Sequence, residues 1–204
     1  GSQYTQLIAR RVRELNIYSE IHPYNKMPEI DASWKAVILS GSPYSVHDMD
    51  APIVNLSSIK GVLPLLGICY GAQYLTHKFD GQVISSNTRE YGRANLSFID
   101  FDSDLMQDVS MNSQVWMSHG DTIVGIPDHY KVIASTNEVK VAAYKIQSEQ
   151  TYGIQFHPEV YHSKDGSTIL KNFLVGICGC SQDWTPKVFV EEKVQQLKQE
   201  LLND

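Results

Sequence analysis

Hydrophobic residues along this chain follow two spacings, one helical and one extended, and the switches between them outline the elements. From Tyr4 to Leu15 they recur at Leu7, Ile8, Val12 and Leu15, with Arg10, Arg11 and Arg13 between them, which predicts an amphipathic helix. Tyr18 to Tyr24 alternates from side to side and predicts a strand. The solid apolar run Ala36-Val37-Ile38-Leu39 stops at Ser40-Gly41-Ser42-Pro43, a buried strand ending in a turn-rich loop. The run from Val62 to Ile68 meets Gly67, Cys69 and Gly71 and leads into a helix-compatible stretch from Ala72 to Lys78: strand, tight turn, helix.

Further strand patterns lie at Gly81 to Ser85, Ala94 to Phe101, Tyr130 to Ser135, Val139 to Tyr144 and Thr151 to Phe156, separated by turn residues. Helical spacing returns at Gly166 to Val175 and again at Lys187 to Leu202, where Glu, Gln and Lys dominate. No internal repeat or low-complexity tract interrupts the pattern. Helices interleaved with buried strands predict an α/β fold, a sandwich of three layers around a mostly parallel central sheet. Pro186 marks a step toward a linker.

Composition narrows the classes. At 204 residues the chain is long enough for one domain with a sizeable core, and 42% hydrophobic against 20% charged residues rules against disorder. Seventeen Lys and Arg against twenty-three Asp and Glu give a net charge of −6. With no basic run, the electrostatic footprint of a nucleic-acid binder is missing. Apolar runs fall far short of the roughly 20 residues that span a bilayer, so no membrane partner is expected. Three cysteines argue against a disulfide framework and for a reducing, cytoplasmic setting.

Chemistry concentrates at two places. In Gly67-Ile68-Cys69-Tyr70-Gly71 the glycines flank the cysteine two residues away on each side, the spacing of a nucleophile elbow where a strand turns sharply into a helix. A side chain at such a turn sits at a helix N-terminus, where backbone N–H groups favour a thiolate. Taken alone, Cys69 fits equally well as a small buried hydrophobe ending a core strand. The second place shifts the balance. The strand ending at Phe156 runs into His157-Pro158-Glu159, which offers a base for the Cys69 proton and a carboxylate to fix the tautomer of that base.

With these residues in view, the chain resembles the class I glutamine amidotransferase family over nearly its whole length, in which an elbow cysteine and a His-x-Glu segment form a triad. Within the family it is most similar to the glutaminase domains of the GMP synthase branch, through residues 1–13, Arg89-Glu90-Tyr91-Gly92, Val115 to Asp121 and His157 to His162. The resemblance implies a flavodoxin-like fold and hydrolysis of L-glutamine to glutamate and ammonia by Cys69, His157 and Glu159. It further implies an oxyanion hole at the backbone of Ser42 and Tyr70, and glutamine contacts at Gln73, Ser118, Gly120 and Asp121. Relatives usually carry Gly-Gly-Pro where this chain has Gly41-Ser42-Pro43, so a positive φ at Ser42 would be strained.

Several of these positions also have an ordinary structural explanation: Gln73 fits a helix residue, Gly120 a turn glycine, Asp121 a cap or turn carboxylate. Arg89 to Tyr91 fits a solvated loop, which in the family lies near a companion domain. His119 fits a structural histidine, and His162 carries no chemistry of its own. Cys178 and Cys180 are too few for a zinc site, so no metal and no cofactor are expected in this chain.

The resemblance also implies a partner, an ATP pyrophosphatase domain or subunit that binds ATP and Mg and aminates xanthosine monophosphate. Its Ser-Gly-Gly-Val-Asp-Ser phosphate loop has no counterpart here, and the family's first strand would precede Gly1-Ser2-Gln3-Tyr4, so these read as native residues. The expected organisation is a glutaminase domain over 1–183 and the start of a linker helix over 184–204, in an excised domain or separate subunit. Two other readings remain open: the glutaminase of another class I amidotransferase, serving anthranilate or carbamoyl phosphate synthesis, and a non-catalytic glutamine-sensing module.

Overall fold

A computed structural model describes residues 4–187 together with 190, 194 and 198, and leaves the side chains of 86–90 undescribed. The helix expected over 187–202 therefore lies almost wholly outside the described residues. Helix α1 (Tyr4–Glu14) buries Ile8, Ala9 and Val12 on the face that the sequence spacing marked. Strands β1 (Val37–Leu39) and β2 (Leu65–Ile68) precede helix α2 (Tyr70–Lys78). The long strands β3 (Gln82–Ile99) and β4 (Gln114–Gly125) follow, then β5 (Tyr130–Thr136), β6 (Ala143–Ile146) and β7 (Thr151–Ile154). Helix α3 (Gly166–Lys171) runs on into a π-helical stretch at Asn172–Ile177.

Among the described residues, seven strands form one sheet in the order β1-β2-β7-β6-β5-β3-β4. Strand β2 pairs in parallel with both β1 and β7, and every other pairing is antiparallel. The sheet is thus mixed, with the expected parallel arrangement confined to β1, β2 and β7. The reason lies in the connections. The turns 137–142 and 147–150 are too short for the crossover that a parallel pair needs.

Both faces of the sheet are covered, which makes the three layers. Ile8 and Val12 of α1 and Ile169, Leu170 and Phe173 near the C-terminal end share one core with Leu66, Ile68, Tyr152 and Ile154. Tyr70, Ala72, Tyr74 and Leu75 of α2 share the other with Leu65, Tyr144 and Ile146. Tyr144 fastens this face by donating its hydroxyl to the Ala72 carbonyl, 2.9 Å away.

Three expectations are corrected. Residues 18–24 form no strand: Arg13 donates to the Ser19 carbonyl at 2.9 Å and the Ser19 hydroxyl to the Ala9 carbonyl at 3.4 Å, so the segment lies against α1 rather than in the sheet. The strands expected at 81–85 and 94–101 are one element, β3, bent by irregularities in its pairing with β4. Tyr91 and Gly92 therefore sit in a strand opposite Ser118 and Met117, not in a loop. Residues 114–125, including the supposed turn at Gly120 and Asp121, form β4, whose alternating burial is hidden in the sequence by its buried polar residues.

Candidate active site

The site is assembled by the pairing of β2 with β7. Ile68 lies opposite Ile154 in register, and the Cys69 amide extends the ladder by donating to the Ile154 carbonyl at 2.8 Å. Cys69 and His157, three residues past β7, thus emerge side by side at the same end of the sheet. Cys69 holds φ 53° and ψ −109°, a conformation that costs a non-glycine residue about 1–3 kcal/mol and must be enforced by its surroundings.

The flanking glycines do the enforcing through close approach. A Cβ on Gly67 would lie 2.7 Å from the Ala72 nitrogen, and one on Gly71 2.4 Å from the Leu39 carbonyl oxygen. Only bare backbone lets α2 turn back this tightly over β1 and β2. The Cys69 thiol rests 3.7 Å from the Ser118 carbonyl. The first N–H groups of α2, that of Tyr70 among them, have no acceptor inside the helix. The Tyr70 side chain itself turns away and donates to the Pro52 carbonyl at 2.8 Å.

His157 and Glu159 are buried, 2% and 0% exposed, with Nδ1 of the imidazole 2.7 Å from Oε1 of the carboxylate. That leaves Nε2 for Cys69, whose side chain is also hydrogen-bonded to the imidazole. Burial alone would push the His157 pKa down, but the bonds to Cys69 and Glu159 outweigh it and hold the imidazolium form to higher pH than usual. The segment is pinned by its main chain. His157 donates to the Trp116 carbonyl at 3.0 Å and accepts from the Ser163 hydroxyl at 2.5 Å, while Arg11 of α1 donates to the Glu159 carbonyl at 2.9 Å.

A cleft of about 690 Å³ opens beside the pair, walled by Ser42, Cys69, Gln73, Ser118, Gly120, Asp121 and His157 among others. All four residues expected to contact substrate therefore lie together with the cysteine. Two of them already carry structural duties. The Gln73 amide donates to the Asp121 carbonyl at 2.8 Å. The Asp121 carboxylate accepts from the Ser45 hydroxyl at 2.6 Å, the Val46 amide at 3.2 Å and the Ser85 hydroxyl at 3.3 Å.

Ser42 is not among the residues with positive φ, so serine there is unstrained. Its hydroxyl accepts from the Tyr44 amide at 3.3 Å. His119 is buried and structural, its pKa lowered to about 4 by loss of water. His162 stacks at 4.8 Å on Trp116. Cys178 and Cys180 are free thiols packed against the first core, and burial pushes the Cys178 thiol up to about 12.

Sequence reasoning missed Tyr4, whose ring lies 4.8 Å from that of His157 and which also lines the cleft. It missed Arg11 and Ser45 as well. Helical spacing marks Tyr4 and Arg11 only as surface positions of α1, and nothing local ties them to a segment near the other end of the chain.

An α/β sheet whose inner strand turns through a strained cysteine at a helix N-terminus, facing a buried His–Glu pair, defines a class of proteins built around a nucleophile elbow. The family model for glutamine amidotransferase class-I matches residues 1–177, and the chain belongs to that family. It is 59% identical over 204 residues to the glutamine-hydrolyzing GMP synthase of Cytophaga hutchinsonii, covering all of this chain and 40% of that protein. It is 57% identical, with the same coverage, to glutamine-hydrolyzing GMP synthase 1 of Bacteroides thetaiotaomicron. The chain therefore spans less than half the length of these relatives. Among solved structures, it is similar to a GMP synthase subunit from Thermoplasma acidophilum, with a TM-score of 0.74 and 28% identity over 96% of this chain and 94% of that one. A glutamine amidotransferase of Thermotoga maritima shares the fold at 17% identity, with a TM-score of 0.64 and 76% and 84% of the two chains covered.

Proposed function

We propose that the cleft takes L-glutamine and that the chain hydrolyses its side-chain amide to glutamate and ammonia. The observation that carries this reading is the buried imidazole of His157 held between Cys69 and the Glu159 carboxylate. The thiolate of Cys69 attacks the amide carbon, and the charge developing on its oxygen falls to the Ser42 and Tyr70 backbone N–H groups. His157 gives its proton to the departing nitrogen, the C–N bond breaks, and ammonia leaves a thioester behind. Water then attacks the thioester, passes a proton to the imidazole, and glutamate departs as the thiolate is restored. Through Nδ1, Glu159 holds the tautomer and steadies the imidazolium. Gln73, Ser118, Gly120 and Asp121 line the cleft where the amino-acid end of the substrate would lie.

The ammonia, on this reading, is destined for xanthosine monophosphate activated by ATP, giving GMP in a companion ATP pyrophosphatase domain that holds ATP and Mg. The names of the relatives support it, and so does the share of their length that this chain leaves uncovered. Residues 1–183 would be the glutaminase domain and 184–204 the start of the linker, in a cytoplasmic enzyme; among the described residues no helix is long and apolar enough to cross a membrane.

Glutamine turnover by the chain, compared with Cys69→Ala, tests the nucleophile: turnover should vanish in the variant. Weak activity alone and a rise on adding the ATP pyrophosphatase partner with xanthosine monophosphate and ATP are the expected pattern, because closure by an acceptor domain completes such sites. Unchanged turnover with the partner present would sink the assignment of the acceptor.

A further inference from the structure

Helix α1 carries no residue of the proposed triad, yet it touches the base twice. Arg11 holds the Glu159 main chain, and at the start of the helix the Tyr4 ring lies 4.8 Å from the His157 ring at an interplanar angle of 51°. Tyr4 also lines the cleft, so the imidazole has an aromatic wall between it and the solvent that fills the opening. We infer that Tyr4 is a positioning residue for His157: its ring favours the imidazolium–thiolate pair over the neutral imidazole–thiol pair and keeps water from it. The inference rests on the proposed partnership of Cys69 and His157.

The physical reason is the charge distribution of the ring. An aromatic face attracts a cation whose centre lies within about 6 Å, and the attraction grows where water is excluded. His157 is almost wholly buried, so a neighbour that prefers the charged imidazole acts there with little screening. The other titratable or charged groups facing His157 are Cys69 at the start of α2, Glu159 on its own segment, His119 on β4, and Arg11 of α1 by way of the Glu159 carbonyl. Burial leaves His119 neutral near pH 7, so it adds no opposing charge. Tyr4 thus adds to these ionic neighbours an aromatic contact that distinguishes the two states of the pair.

Alkylation of Cys69 by iodoacetamide, followed on its own peptide by mass spectrometry from pH 5 to 9, reads the pair without any substrate. Tyr4→Phe, which keeps the ring, should react as the parent chain does. Tyr4→Leu should react about tenfold more slowly near neutral pH, the size of a cation–ring contact at a desolvated site, and recover only at higher pH. Tyr4→Met, which keeps bulk without a ring, should behave as Tyr4→Leu, and serves in its place should that variant fail to fold. A leucine or methionine profile that superimposes on the parent would show that the ring is only packing. An equal loss in Tyr4→Phe would assign the effect to the hydroxyl and overturn the role of the ring. If the parent Cys69 reacts no faster at neutral pH than in a His157→Ala chain, the Cys69–His157 pairing itself fails and this inference falls with it.

Discussion

Two buried histidines of the site are driven in opposite directions by their neighbours. His157 has an anion-capable partner on each ring nitrogen and stays charged to higher pH, whereas His119 is stripped of water, and the support that the Asp121 main chain gives its charge is too small to offset that loss. Its pKa falls from the ordinary 6.5 to about 4. Between those values the unfolded chain binds a proton that the folded chain refuses, so stability is intact above pH 6.5 and is lost as pH falls toward 4. His119→Gln should therefore match the parent in urea denaturation at pH 7 and gain on it by about 2 kcal/mol at pH 5. Parallel stability curves for the two chains would refute the assignment. Sequence reasoning already read His119 as structural, but the sign of its titration depends on burial that no local pattern reveals.

At the level of elements, the loop after β1 is the least self-sufficient part of the site. It carries Ser42, yet β1 stands at one end of the strand order and the residue that anchors the loop, Asp121, belongs to β4 at the other. The sheet must curl for the two to meet, and the cleft lies where they do. Ser45 is the link, donating its hydroxyl to Asp121 while its amide donates to Asp48 at 2.8 Å. Ser45→Ala leaves a buried carboxylate short of a donor, at a cost of about 1–3 kcal/mol. We expect a lower melting temperature and, if the Ser42 N–H receives the oxyanion, a fall in kcat larger than any rise in KM. Unaltered kcat in a destabilised variant would show that the loop needs no such anchor for turnover.

Across the whole molecule, the sheet divides the interior into two cores that meet only through its strands. Leu65 and Leu66 are adjacent in β2, both fully buried, and belong to opposite cores. Truncating either to alanine should cost about 2–5 kcal/mol, since a strand flanked on both sides cannot collapse onto the void. Because β2 also ends in the elbow, both variants should melt in a single transition, with loss of the cleft tracking loss of the fold. Two separate calorimetric transitions in either variant would show that the layers are independent units.

The reach of the sequence follows the range of the forces involved. Gly67-Ile68-Cys69-Tyr70-Gly71 and His157-Pro158-Glu159 are each short enough to declare their chemistry locally, because a tight elbow demands glycine and a His-x-Glu segment sets its own internal geometry. Burial periodicity likewise exposed α1, α2 and most of the strands. The meeting of those two segments is a matter of strand register, Ile68 beside Ile154, which no stretch of sequence contains. The same holds for Tyr4 over His157, for Asp121 holding Ser45, and for β4, whose polar residues look like a turn until the curled sheet buries them. What the sequence determined is the set of reactive groups and their local turns; which groups face one another was decided only by tertiary packing, because contacts between distant segments leave no periodic trace in either one.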